Sequence, residues 1–144
     1  MKSASASTTV AVVDASVWVS RLVPADACHP TSQKWLEAFV GGGGQCVAPV
    51  LLLAEVAGAI SRRTTEPHLG QAALKMLIRL PALRIVPVER RLGLGAAQLA
   101  GDLGLCGADA IYVALAQQLK VPLITWDQEQ LSRTSGIITA RQPM

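Results

Sequence analysis

The sequence predicts an α/β protein, a three-layer α/β/α sandwich around a central, mainly parallel five-stranded sheet. Three observations predict it. Short β-branched or apolar runs recur at Val10–Val13, Cys46–Ala48, Leu83–Val88, Val121–Thr125 and Ile137–Ile138. The stretches between them carry apolar residues at helical spacing, and strands separated in this way connect in parallel through crossovers. Hydrophobic residues make up 51% of the chain and charged residues 16%, so the chain packs an aliphatic core rather than remaining disordered.

At 144 residues there is room for one domain. Residues 1–9 are small and polar with a single lysine and are expected to be flexible, leaving 10–144 as the folded domain. They lack the apolar stretch of a secretory signal, so a cytoplasmic protein is expected. The longest apolar run, Val47–Ile60, contains Pro49 and Glu55 and falls short of a membrane span, so no membrane partner is expected. Cys28, Cys46 and Cys106 are odd in number and show no metal-ligand spacing, which reads as buried thiols rather than disulfides or a zinc site. A net charge of +3 permits a polyanionic partner without demonstrating one.

In chain order, Val10–Val13 is a buried strand that ends at Asp14, with the polar turn residue Ser16 just beyond. Ser16–Val23 forms a short helix stopped by Pro24, and Pro30–Val40 a second helix closed by four glycines, Gly41–Gly44. After the Cys46–Ala48 strand, Pro49 fits the first turn of a helix running to about Arg63, apolar nearly all round and therefore buried. Glu66–Leu80 is a helix stopped by Pro81, Leu83–Val88 the third strand, and Arg90–Leu103 a helix with Leu92, Ala96, Leu99 and Leu103 on one face. The helix Gly107–Ala116 opens with Asp109 on a face shared with Tyr112, Val113 and Ala116. The fourth strand leads to Asp127, a short helix contains Leu131, and Ile137–Ile138 supplies the edge strand.

Four of the ten acids break the apolar pattern: Asp14, Glu55, Asp109 and Asp127. The other six, Asp26, Glu37, Glu66, Glu89, Asp102 and Glu129, fall in turns or on polar helix faces. In open parallel sheets ligands bind at the carboxyl ends of strands, where strand order reverses, and Asp14 and Asp127 lie at two such ends. Helices opening on that edge can add Glu55 and Asp109. A buried glutamate needs a partner, and Arg62, two turns on, is the local candidate for a purely structural one. Like charges held together raise one another's pKa, so four converging acids imply a hard cation. Oxygen-only ligation points to Mg²⁺, with Mn²⁺ as a substitute, and that ion favours phosphodiester hydrolysis by offsetting charge on phosphorus and the leaving oxygen.

Val-Val-Asp14-Ala-Ser16, Leu-Ala-Glu55-Val, Gly-Ala-Asp109-Ala-Ile-Tyr-Val-Ala-Leu-Ala and Leu-Ile-Thr125-Trp-Asp127 resemble the four acidic motifs of PIN-domain ribonucleases, in particular VapC-type toxins of toxin–antitoxin pairs. The resemblance runs from about Val10 to Ile138. It implies a five-stranded parallel sheet, Mg²⁺-dependent endoribonuclease activity on RNA, a homodimer, and a cognate antitoxin that blocks the site. It also assigns Asp14 and Asp109 to the metal, Glu55 and Asp127 to the completed catalytic pocket, and Thr125, with Ser16, to its support. Such toxins often carry a basic or hydroxyl residue where this chain has Cys106. Trp126 can stack on a base or pack in the core, and the pairs Arg62-Arg63 and Arg90-Arg91 can meet RNA phosphates or plain solvent. A catalytically silent PIN-like binding module is the alternative. Receiver-like and phosphatase-like folds also gather acids at strand ends, but the phosphatase pattern needs Asp-x-Asp where this chain has Asp14-Ala15-Ser16.

Overall fold

The computed structural model describes residues 8–144; residues 1–7, most of the segment expected to be flexible, lie outside the described residues. Five strands form one sheet: β1 (Val10–Val13), β2 (Gln45–Pro49), β3 (Leu83–Val86), β4 (Leu123–Ile124) and β5 (Ala140–Arg141). Their order is β3-β2-β1-β4-β5, and every pairing is parallel rather than mainly so. The first strand is therefore central, and strand order reverses between β1 and β4. Ala11, Val12, Val13, Cys46, Ala48, Leu123 and Ile124 are fully buried, as strands covered on both faces must be.

The connections are α1 (Ala15–Leu22) and α2 (His29–Gly41), α3 (Leu51–Thr64) and α4 (Pro67–Arg79), α5 (Arg90–Leu103) and α6 (Gly107–Leu119), and α7 (Gln128–Arg133). Right-handed crossovers that travel outward from β1 and then back across the sheet place their helices on opposite faces. The packing follows: α3 lies on α4 and α1, while α5 lies on α6. The sixth helix has its face of Tyr112, Val113, Ala114, Leu115 and Ala116 buried against β1, β2 and β4.

Several expectations need correction. Pro49 is the last residue of β2 rather than the first turn of a helix, because the ladder with β3 continues to Pro49 opposite Val86. The Val50 N–H then donates to Val86 O at 2.8 Å, and α3 begins only at Leu51. The edge strand is Ala140–Arg141, not Ile137–Ile138, since the Ile137 and Ile138 amides are spent on Thr134 O at 3.0 and 3.3 Å. The fourth strand proper is two residues, Leu123–Ile124. On α3 only Leu52, Val56 and Ile60 are buried, so this helix lies on the surface of its layer. Of the three cysteines only Cys46 is buried, and Cys106 is exposed. Among the described residues no single helix is long and apolar enough to cross a membrane.

Candidate active site

Asp14 sits where β1 gives way to α1, and its side chain makes that change: Oδ2 accepts the Ser16 N–H at 3.0 Å, capping the helix. The residue is 5% exposed. Burial raises its carboxyl pKa against the hydrogen bonds from Ser16 and Gln130, which favour the charged form. Asp127 does for β4 and α7 what Asp14 does for β1 and α1, with Oδ1 accepting the Gln130 N–H at 2.8 Å.

Glu55 projects from the second turn of α3, half-buried, and its Oε1 accepts the Tyr112 hydroxyl at 2.7 Å. This phenol, not Arg62, is the partner of the glutamate. Arg62 lies two turns further along the same helix, about 10 Å of rise, whereas Tyr112 reaches across from α6. Burial raises the Glu55 pKa, the Tyr112 bond opposes that, and the charges of Asp14 and Asp109 raise it further. Burial and the facing Glu55 also push the Tyr112 hydroxyl far up, so it stays a proton donor.

Asp109 lies in the first turn of α6, where free N–H groups and the helix dipole favour a negative charge. Its Oδ2 accepts the Cys106 thiol at 3.1 Å. Even so its pKa is raised, by burial first and then by Asp127, Asp14 and Glu129, against the Cys106 bond. The charge of Asp14 thus bears on both Glu55 and Asp109, that of Asp109 on Glu55, and that of Asp127 on Asp109.

The two hydroxyls link these acids. Thr125 is fully buried; its Oγ1 accepts the Asp127 N–H at 2.9 Å and lies 3.3 Å from Asp14 Oδ2. Ser16 Oγ accepts the Trp126 N–H at 3.0 Å and lies 3.3 Å from Thr125 Oγ1. The indole of Trp126 is fixed through Nε1, which donates to Ser32 at 2.8 Å. A cleft of about 410 Å³ opens beside these groups, lined among others by Ser16, Glu55, Trp126, Arg62 and Arg63. Arg63 is paired with Asp26 at 2.7 Å, while Arg62 is exposed.

Sequence reasoning missed Gln130. This side chain is fully buried, and its Oε1 accepts the Thr125 hydroxyl at 2.7 Å. Its Nε2 points at Asp109 O, 3.3 Å away, and Asp14 Oδ1, 3.5 Å away. The signal available was Asp127-Gln128-Glu129-Gln130, half of a capping box. The Gln130 N–H makes the expected bond to Asp127, but its amide does not return to the cap; it turns into the acid cluster instead.

The donor set fits a hard divalent cation. The acids offer carboxylate oxygens, the neutral groups beside them offer hydroxyl and amide oxygens apart from the Cys106 thiol on Asp109, and none of the four acids makes an ion pair with a basic side chain among the described residues. No three potential ligands among the described residues are grouped tightly enough to enclose an ion unaided. A pair of carboxylates is therefore the most these acids offer an ion, and Mg²⁺ is a cation held by one or two carboxylates with waters or substrate phosphate in the remaining positions.

A doubly covered parallel sheet, with acids at the carboxyl ends of its central strands where strand order reverses, defines an α/β protein of the kind that binds ligands at that edge. The chain belongs to the PIN domain family, whose profile matches residues 11–137. It is similar in fold to VapC20 of Mycobacterium tuberculosis, described as a sarcin-ricin loop cleaving toxin, with TM-score 0.74, 17% identity, and 90% of this chain and 97% of that one covered. The FitAcB structure from Neisseria gonorrhoeae gives TM-score 0.70 at 18% identity, covering 92% and 97%. VapBC2 from Rickettsia felis, bound to a DNA fragment from its promoter, gives 0.69 at 15%, covering 92% and 98%. No match to a curated protein sequence was found.

Proposed function

We propose that this chain is a Mg²⁺-dependent endoribonuclease and the toxin of a toxin–antitoxin pair. One observation carries the reading: at the switch-point edge Asp14 is buried, burial and then the Asp14 charge raise the pKa of both Glu55 and Asp109, and none of the three makes an ion pair with a basic side chain among the described residues. Membership of the PIN domain family supports nuclease activity, and the neighbouring folds support the toxin role and RNA as substrate.

Asp14 and Asp109 would hold the ion, with Glu55 and Asp127 completing the pocket and Mn²⁺ as a substitute. When bound, Mg²⁺ supplies positive charge against the negative charge building on phosphorus and the leaving oxygen. The chain's own residues do the rest. Tyr112 occupies Glu55 Oε1, which leaves Oε2 to take a ligand or a proton. Ser16 and Thr125 hold the β1 and β4 ends together, and Arg62 stands in the cleft to meet an RNA phosphate. A cognate antitoxin would satisfy the same carboxylates with a basic side chain, because an arginine fork replaces a cation there. A homodimer in the cytoplasm completes the reading.

The test is cleavage of a sarcin–ricin loop RNA and an unstructured RNA by purified protein. Cutting is expected in Mg²⁺ or Mn²⁺ and complete arrest in EDTA. Undiminished cutting in EDTA would remove the metal from the reading. Inert protein in both metals would favour the silent binding module.

A further inference from the structure

We propose that Gln130 is the positioning residue of this site: its amide fixes the Asp14 carboxylate relative to the first turn of α6, and so sets the spacing at which Asp14 and Asp109 receive a divalent cation. The inference rests on the metal-site reading and extends it to a residue outside the four acids.

Hydrogen-bond polarity forces the orientation of the amide. Both neighbours of Nε2, Asp14 Oδ1 and Asp109 O, are acceptors without a proton of their own when Asp14 is ionised, so the NH₂ end must face them. The Oε1 end then faces Thr125, whose single hydroxyl proton goes to it at 2.7 Å rather than to Asp14 at 3.3 Å. The lone pairs of Thr125 are left for the Asp127 N–H at 2.9 Å and for Ser16, whose own oxygen accepts the Trp126 N–H at 3.0 Å. A directed chain therefore runs from the Trp126 amide through Ser16 and Thr125 to Gln130, and ends on Asp14 and the α6 backbone. The 2.8 Å bond from the Gln130 N–H to Asp127 anchors the same residue to the fourth acid. One side chain thus joins the ends of β1 and β4 to the starts of α6 and α7.

A neutral donor suits this position. Lysine or arginine here would neutralise Asp14 and compete with a cation, and a carboxylate would add repulsion. An amide orients the carboxylate and leaves its charge intact. Residues that hold a ligating carboxylate in this way typically contribute 10–100-fold in metal affinity or activity.

The test uses the full chain. In Gln130→Met, which keeps the volume and removes the amide, the half-saturating Mg²⁺ concentration, read by thermal shift with Mg²⁺ alone, is expected to rise about tenfold. RNA cleavage should lose about tenfold or more in kcat with KM little changed, because substrate contacts are intact. Thr125→Val should give the same phenotype, and the double variant no more than either single one, since all three break one chain. A lowered melting temperature with wild-type Mg²⁺ midpoint and kcat would make Gln130 a packing residue and overturn the proposal. Should Gln130→Met fail to fold, isotope-labelled wild-type protein decides. The Gln130 side-chain amide signals must shift with the same Mg²⁺ midpoint as the Asp14 and Asp109 backbone amides, and amide signals that stay fixed while those shift overturn it. Wild-type protein that neither binds Mg²⁺ nor cuts RNA overturns the functional reading, and this proposal with it. Wild-type protein that does both, beside Gln130 variants indistinguishable from it, overturns this proposal alone.

Discussion

Asp14 has two duties that a substitution can separate. It caps α1 through Oδ2, and it carries a charge that burial disfavours. Asparagine keeps a capping oxygen, discards the charge and gives up only the long 3.5 Å contact with Gln130 Nε2, and it is among the preferred N-cap residues. Asp14→Asn should therefore leave the melting temperature of the metal-free protein unchanged or higher. Its Mg²⁺-induced stabilisation should shrink, and cleavage should fall about 100-fold or more. Asp109→Asn should behave alike, since its raised pKa also comes from burial and neighbouring acids. Melting curves with and without Mg²⁺, beside cleavage on the same samples, check both; lost stability with retained cleavage would remove these residues from the site. The acids were legible in sequence because each interrupts an apolar pattern. Gln130 was not, because Gln-Glu-Gln reads as the solvated face of a short helix, and only the fold reveals that its amide is fully buried. The Tyr112 partner of Glu55 was hidden for a related reason: it lies 57 residues away, and local reasoning offered only Arg62.

At the level of elements, legibility followed the amount of side-chain signal. The helix α5 was read to the residue, Arg90–Leu103, since its apolar stripe is regular and it ends in a glycine, Gly104, at φ 68°. By contrast β5 pairs only through its backbone, and Ala140–Arg141 has no strand-like pattern, so the more apolar Ile137–Ile138 drew the assignment. Neither reading exposed the close approach of α3 and α4, which depends on Gly70. A Cβ there would lie 2.6 Å from Ala57 O and 3.2 Å from Ser61 Cβ. Because the clash is with backbone of the helix that carries Glu55, Gly70→Ala should destabilise the protein by about 1–3 kcal/mol. Gly93 in α5 is the control, as a Cβ there meets nothing within 4 Å. With no clash to offset the gain in helix propensity, Gly93→Ala should stabilise by about 0.4–1 kcal/mol. Denaturant unfolding of the two variants decides, and equal signs would refute the packing account.

For the molecule as a whole, the raised and lowered carboxyls act in different pH windows. Asp14, Glu55 and Asp109 have folded-state pKa values above their unfolded ones, so in chelator the folded protein binds more protons than the unfolded chain in the interval between. Stability must then fall as pH rises through that interval. Asp26 has the opposite sign. Burial works to raise its pKa, but the Arg63 ion pair and the Cys28 N–H bring it below the ordinary aspartate value. Its contribution is therefore present at pH above the unfolded value and is lost as pH falls through the folded one. In EDTA the melting temperature should accordingly rise as the pH is lowered towards the ordinary carboxylate range and drop once the pH falls below it. On the proposed function a divalent cation would reverse the upper limb, because it would bind the ionised acids of the folded state alone. At a hundred times its dissociation constant it adds about 2.7 kcal/mol, which fades as protons displace it. The pH of greatest stability should therefore move upward when Mg²⁺ replaces EDTA, and melting curves across pH in the two buffers measure the move. An optimum at the same pH in both would mean that the acid cluster holds no cation.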